Sequence, residues 1–185
     1  MNPKTQKKID NLERIERFPA EDFFDYLSLE KEDKLLDLGA GAGYITLAIA
    51  QYVEKVVALD IDQDVLSYLK HKAIQKKISN IETTVGDFKV LPFLDDIFNK
   101  VVASISLHEV TPLSLVLHEI YRVLKENGTF LCIDLEKTDT STGPRVPSQE
   151  MEVEMRKAGF SIKETIRASI QFANQPVYII VAQKK

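Results

Sequence analysis

The sequence predicts an α/β fold: a doubly wound, mainly parallel sheet with helices on both faces and an antiparallel last strand. Three observations predict it. Apolar runs of strand length alternate with longer stretches of helical period, the pattern of a sheet built through helical crossovers. The first run opens into glycines at every second position, Gly39, Gly41 and Gly43, before a helical stretch begins. The final two runs are separated by only about ten residues, too few for a parallel crossover of ordinary size, so they should run antiparallel.

Taken in order, residues 4–17 are mostly polar with Ile9, Leu12 and Ile15 three apart, a narrow stripe that suits a short helix lying on the main body. Phe18-Pro19 ends it. Pro19 then fits the first turn of a second helix carrying Phe23, Phe24, Tyr26 and Leu27, with acidic residues at its positive end. These aromatics read most simply as core packing, with a pocket lining as the alternative. Residues 34–38 form the first strand, and a helix follows from about residue 45 to 52. Residues 55–60 form the second strand, whose continuous β-branched run suits a parallel strand covered on both faces. Asp62 predicts an N-cap for a helix reaching Lys77, with Leu66, Leu69, Ala73 and Ile74 facing inward.

Residues 81–85 are the third strand and 101–105 the fourth, followed by Ser106-Leu107-His108-Glu109. A helix over residues 112–125 is expected to stop at Asn127-Gly128. Residues 129–134 are the fifth strand. The Thr-, Ser-, Gly- and Pro-rich segment 136–148 is a loop placed to cover a site. A helix from Ser148 to Ala158 ends at Gly159, and residues 160–166 and 177–182 complete seven strands. With no internal repeat and no domain-scale linker, residues 1–185 are expected to form one domain, with residues 1–18 as a helical arm or lid.

Composition sets the bounds. At 44% hydrophobic and 28% charged, the chain is that of an ordinary globular protein, and no apolar run reaches membrane-span length. Its beginning lacks an apolar signal core, so a cytoplasmic location is expected. A net charge of -4 argues against a general nucleic-acid binder. Residues 1–17 hold five basic residues against three acidic ones, which reads as a solvated helix face, with contact to RNA or an anionic substrate as the alternative. The three histidines and the single cysteine show no metal-ligand spacing, so no metal is predicted. Cys132, inside the apolar run of the fifth strand, is expected to be a buried inert thiol.

Ligands of open parallel sheets lie beyond the C-terminal strand ends. That edge gathers Asp37, Asp60, Asp87 and Ser104. Gly39, Ala40, Gly41 and Gly43 would let a ligand lie close to the main chain, where the helix N-terminus offers free N–H groups. Asp37 would repel a pyrophosphate but attract an ammonium group. Asp60 follows Gly39 by 21 residues, the interval at which an acid reaches ribose hydroxyls, and Ile61 lies beside it. Asp87, flanked by Gly86 and Phe88, is placed to accept from an adenine amino group while the ring packs on the base. The ligand thus reads as an amino acid, a ribose and an adenine in sequence.

These residues resemble the class I S-adenosylmethionine-dependent methyltransferases. Leu35-Leu36-Asp37-Leu38-Gly39-Ala40-Gly41-Ala42-Gly43-Tyr44 is similar to their cofactor loop, and Val57-Ala58-Leu59-Asp60-Ile61-Asp62 to their ribose-binding strand end. Gly86-Asp87-Phe88 with Leu91-Pro92-Phe93 resembles their adenine-contacting segment. Tyr121-Arg122-Val123-Leu124-Lys125-Glu126-Asn127-Gly128-Thr129-Phe130 resembles the helix-to-strand turn of the group related to ubiquinone and menaquinone biosynthesis methyltransferases, with Glu126-Asn127 where Pro-Gly is usual. The resemblance runs from about Arg17 onward. It implies a Rossmann-like seven-stranded sheet, S-adenosylmethionine as cofactor, and methyl transfer to an acceptor most simply read as a small molecule. Larger relatives add recognition elements that this chain lacks, so the acceptor does not carry over. A lone Cys132 argues against the arsenite chemistry of similar proteins.

Two other readings compete. A nicotinamide-dinucleotide fold would place its third glycine at Tyr44, and both Tyr44 and Asp37 count against it. A protein that binds S-adenosylmethionine and transfers nothing is the other. For transfer, His108 and Glu109 are the side chains nearest the expected methyl position, and His108 is expected to orient or deprotonate the acceptor. The alternative is that His108 merely caps or packs at the start of the next helix. His118 and His71 read as surface residues.

Overall fold

The computed structural model describes residues 3–15 and 18–185, except for the side chains of 168–171. Residues 1, 2, 16 and 17, part of the arm read from the sequence, lie outside the described residues. Seven strands form one sheet: β1 (Lys34–Leu38), β2 (Lys55–Asp60), β3 (Ile81–Val85), β4 (Phe98–Ser104), β5 (Leu124–Leu135), β6 (Ser161–Phe172) and β7 (Gln175–Gln183), in the order β3-β2-β1-β4-β5-β7-β6. The pairs among β1 to β5 are parallel; β7 lies antiparallel to β6, as the short connection between them required, and also antiparallel to β5. Strand order reverses between β1 and β4, which opens the crevice where ligands of such sheets bind.

Among the described residues, five α-helices accompany the sheet: α1 (Pro3–Arg14), α2 (Tyr44–Ile49), α3 (Gln63–Gln75), α4 (Leu113–Val123) and α5 (Ser148–Lys157). Alternation along the strands decides which face each covers. Leu36, Leu38, Val57, Leu59, Val101, Phe130 and Cys132 pack with α4 and α5, whereas Leu35, Val56, Val102, Leu131 and Ile179 pack toward α2. Ala58 meets Leu66 and Leu69 of α3 on that second face. Fully burying a Leu, Ile or Val side chain is worth about 1.5–3 kcal/mol, so these two layers hold the strand ends in place.

Several elements differ from the sequence reading. Ala20–Tyr26 is a 3-10 helix rather than an α-helix, and its three-residue period buries Ala20 and Phe23 on one side. The helix after the glycine turn is α-helical only to Ile49 and finishes as a 3-10 turn over Ala50–Tyr52. Helix α3 begins at the predicted cap, where Asp62 accepts from the Asp64 and Val65 amides, but it ends at Gln75 and leaves Ile74 65% exposed. The fourth helix stops at Val123, because Leu124 already pairs with Phe98 across the sheet. Asn127, at φ +61°, and Gly128 form an irregularity inside β5 rather than a helix stop. The stretch between the last strands is itself mostly strand, with Ala173 and Asn174, both at positive φ, making a two-residue turn.

Candidate active site

The C-terminal ends of β1, β2, β3 and β4 surround a cavity of about 430 Å³. That volume lies within the 300–1,000 Å³ or so typical of small-ligand sites. Its floor is the turn after β1. Gly39, Gly41 and Gly43 all have positive φ (+78°, +51° and +91°), a region that L side chains rarely enter. At Gly39 a Cβ would come within 2.8 Å of the Ser106 Cβ and 3.3 Å of the Phe88 ring, so only glycine leaves the floor low enough for a ligand.

Four amides of the turn itself are engaged within the protein. The Gly39 and Ala40 amides both donate to the Leu59 carbonyl, at 2.8 and 3.1 Å, and the Gly43 amide donates to the Ala40 carbonyl. Gly41 N donates to Asp60 Oδ2 at 3.0 Å. These four amides therefore present no row of open donors to a phosphate. Asp60 receives a second bond at Oδ1 from the Asp62 amide, 3.0 Å. A carboxylate has about four lone-pair sites, so Asp60 keeps capacity on both oxygens for ligand hydroxyls.

Around this floor the structure brings together Gly39, Gly41, Asp60, Ile61, Gly86, Asp87, Phe88 and Glu109. Ile61 is 72% exposed and faces the ligand space with Val110. Asp87 Oδ1 accepts from the Lys89 amide at 2.9 Å, which sets the carboxylate at the β3 end. Lys8, Leu12, Ile105 and Ser106 also line the cavity and were not singled out from the sequence. Their signal was weak: Leu12 was legible only as a helix stripe, and Ser106 matters through its position above Gly39, where its hydroxyl donates to the Leu38 carbonyl.

Helix α1 lies across the cavity mouth. Lys8 Nζ meets Asp62 Oδ2 at 2.9 Å, Thr5 donates to Asp64, and Leu12 covers Gly41. The Lys8 contact, above all its hydrogen bond, holds the Asp62 carboxyl below its ordinary pKa. Ile9 anchors the helix with 1% exposure.

A smaller space of about 230 Å³ adjoins the glycine floor, lined by Gly39, Ala40, Gly41, Ser104, Ile105, His108, Glu109, Leu12, Ile15 and Phe172. This groups the predicted Ser104, Ala40, His108 and Glu109. Asp37 lines neither space. It is 2% exposed and accepts a short hydrogen bond from the Thr46 hydroxyl on α2. Gly43 and Tyr44 border a larger cavity of about 620 Å³ on the far side of the turn, and the Tyr44 hydroxyl donates to the Phe18 carbonyl. That larger cavity gathers none of the strand-end carboxylates, which line the 430 Å³ cavity instead. Burial pushes the Cys132 thiol up, which leaves it an inert core group.

A methyltransferase-domain family model matches residues 29–176. The chain belongs to this family. Among relatives of the methyltransferase domain, an uncharacterized methyltransferase of Bacillus subtilis is 32% identical over 103 residues, covering 56% of this chain and 41% of the relative. A ubiquinone/menaquinone biosynthesis C-methyltransferase of Zymomonas mobilis is 28% identical over 127 residues, covering 69% and 52%. The chain thus spans about half the length of these curated relatives. A solved S-adenosylmethionine-dependent methyltransferase from Aquifex aeolicus shares the fold over the whole of both chains, with a TM-score of 0.83 and 21% identity. The seven-stranded Rossmann-like sheet expected from the sequence is the fold these domains share.

Proposed function

We propose that the chain transfers a methyl group from S-adenosylmethionine to a small-molecule acceptor. The observation that carries this reading is a Cβ-less floor whose Gly39, Ala40 and Gly41 amides are spent internally, ringed by the carboxylates of Asp60, Asp87 and Glu109. A dinucleotide pyrophosphate would meet carboxylates there, whereas a ligand with hydroxyl, amino and cationic groups meets acceptors. The donor set fits the cofactor: Asp60 would take the ribose hydroxyls, Asp87 the adenine amino group, and Ile61 and Phe88 would pack on the base. Asp37, through its place at the end of β1, would bias the amino-acid end electrostatically from beneath the turn.

Bound S-adenosylmethionine supplies a methyl group already activated on a sulfonium. The chain's own residues have then to hold the acceptor close, exclude water and receive its proton. The 230 Å³ space suits that task, with apolar walls from Leu12, Ile15, Ile105 and Phe172 and a polar end at His108 and Glu109. His108 is assigned as the group that orients or deprotonates the acceptor. A small acceptor with an apolar body is consistent with the size of this space and with the quinone-biosynthesis name of one relative.

The test is a radiolabelled methyl-transfer screen against cell extract fractionated into small molecules, lipids, RNA and protein. Label in the small-molecule fraction is expected. Label confined to RNA or protein would overturn the acceptor class, and tight cofactor binding with no label anywhere would favour a non-catalytic binding protein.

A further inference from the structure

The His108 imidazole is held by a carboxylate that the reaction as described above does not use. Asp134, near the end of β5, is fully buried in a strand that is otherwise apolar around it. Its Oδ1 lies 2.5 Å from His108 Nδ1 and accepts the Leu135 amide at 2.8 Å, while its Oδ2 accepts the His108 amide at 3.0 Å. One buried carboxylate thus grips His108 at both its backbone and its ring. The His108 side chain is only 7% exposed, and it borders the 230 Å³ space beside the glycine floor. Its Nε2 lies 3.9 Å from Glu109 Oε1, whose side chain borders the same space.

We infer that Asp134 is a positioning residue that fixes His108 with its proton on Nδ1 and its Nε2 lone pair directed to the acceptor. This rests on the methyl-transfer reading of the site. An ionised carboxylate is acceptor-only, so a neutral imidazole facing it must donate from Nδ1, and Nε2 is left as the basic nitrogen. The acceptor's O–H or N–H proton passes to Nε2, its bonding pair stays on the acceptor atom, and Asp134 balances the imidazolium that results. The orienting logic is that of a buried Asp behind a general-base His. A histidine that only capped a helix would not need a buried anion on its ring.

The experiment is nitrogen-15 imidazole NMR of the full chain with S-adenosylhomocysteine, resolving His108 against a His108→Gln variant. The neutral His108 of the wild type is expected as the Nδ1–H tautomer, and an Nε2–H tautomer would overturn the inference. Asp134→Leu removes the acceptor from Nδ1 whatever the rotamer and should lower the Nδ1–H population several-fold. An unchanged tautomer in a folded Asp134→Leu variant would also overturn the inference, and if that variant does not fold, the wild-type spectrum decides alone. Failure of S-adenosylhomocysteine to bind the wild type would instead count against the methyl-transfer reading, independently of the tautomer.

Discussion

Replacing Asp60 by Asn tests the site at its most informative side chain. Asp60 uses one lone pair on each oxygen inside the protein, toward the Gly41 and Asp62 amides, both at 3.0 Å. An amide of the same size can satisfy only one of these donors, because its NH2 group faces the other N–H in either orientation. The residue borders solvent, so water can take over the abandoned amide, and the stability loss should stay near the low end of about 1–3 kcal/mol for an unmade bond. The larger effect falls on the ligand. Hydrogen bonds to a charged group contribute about 1.5–3 kcal/mol. Losing the charge-assisted ribose contact should therefore raise the Kd for S-adenosylhomocysteine by about 10- to 150-fold. Calorimetry gives the Kd and a thermal melt monitors the fold. A Kd within about twofold of wild type, in a folded variant, would refute the placement of the ribose at Asp60.

Three other perturbations follow from particular contacts. Gly43→Ala puts a Cβ 2.3 Å from Leu69 Cδ1 at φ +91°, and left-handed strain of about 1–2 kcal/mol plus overpacking of about 1–3 should destabilise the protein by roughly 2–5 kcal/mol in urea unfolding. Glu119 is held below its ordinary carboxyl pKa of 4.5, chiefly by its hydrogen bonds from Arg122, so its stabilising contribution is complete above pH 4.5 and fades as pH falls through the lower folded value. The stability gap between wild type and Glu119→Gln should accordingly shrink below pH 4.5, and a gap that widened there would contradict the assignment. Deleting residues 1–17 should impair acceptor use more than cofactor binding, because α1 covers the cavity mouth through Lys8 and Leu12; equal loss of both would make the arm purely structural.

Much of this was legible in the sequence for a physical reason. Buried parallel strands must be continuously apolar, so an acid or a glycine at their ends stands out, and Asp60, Asp87 and the Gly39 turn do lie at the strand ends read for them. The antiparallel end of the sheet followed from chain reach alone. Element ends were less legible because tertiary pairing outranks local signals: Leu124 joins the sheet opposite Phe98, and the Asn127-Gly128 helix stop becomes a strand irregularity. The fate of the turn amides depended on the neighbouring strand's Leu59 carbonyl and on Asp60, partners that a linear reading does not supply. Asp134 did carry a signal, an acid inside the apolar run Phe130-Leu131-Cys132-Ile133-Asp134-Leu135, since a buried carboxylate requires partners. What no spacing could give is that its partner is His108, 26 residues earlier.

The central claim is that the Gly39 floor and its carboxylates hold S-adenosylmethionine rather than a dinucleotide. Calorimetric titration of the purified protein with S-adenosylmethionine, S-adenosylhomocysteine and a nicotinamide dinucleotide tests it most directly. Saturable binding of the first two, with the dinucleotide much weaker, is the predicted result. Tighter binding of the dinucleotide would contradict it.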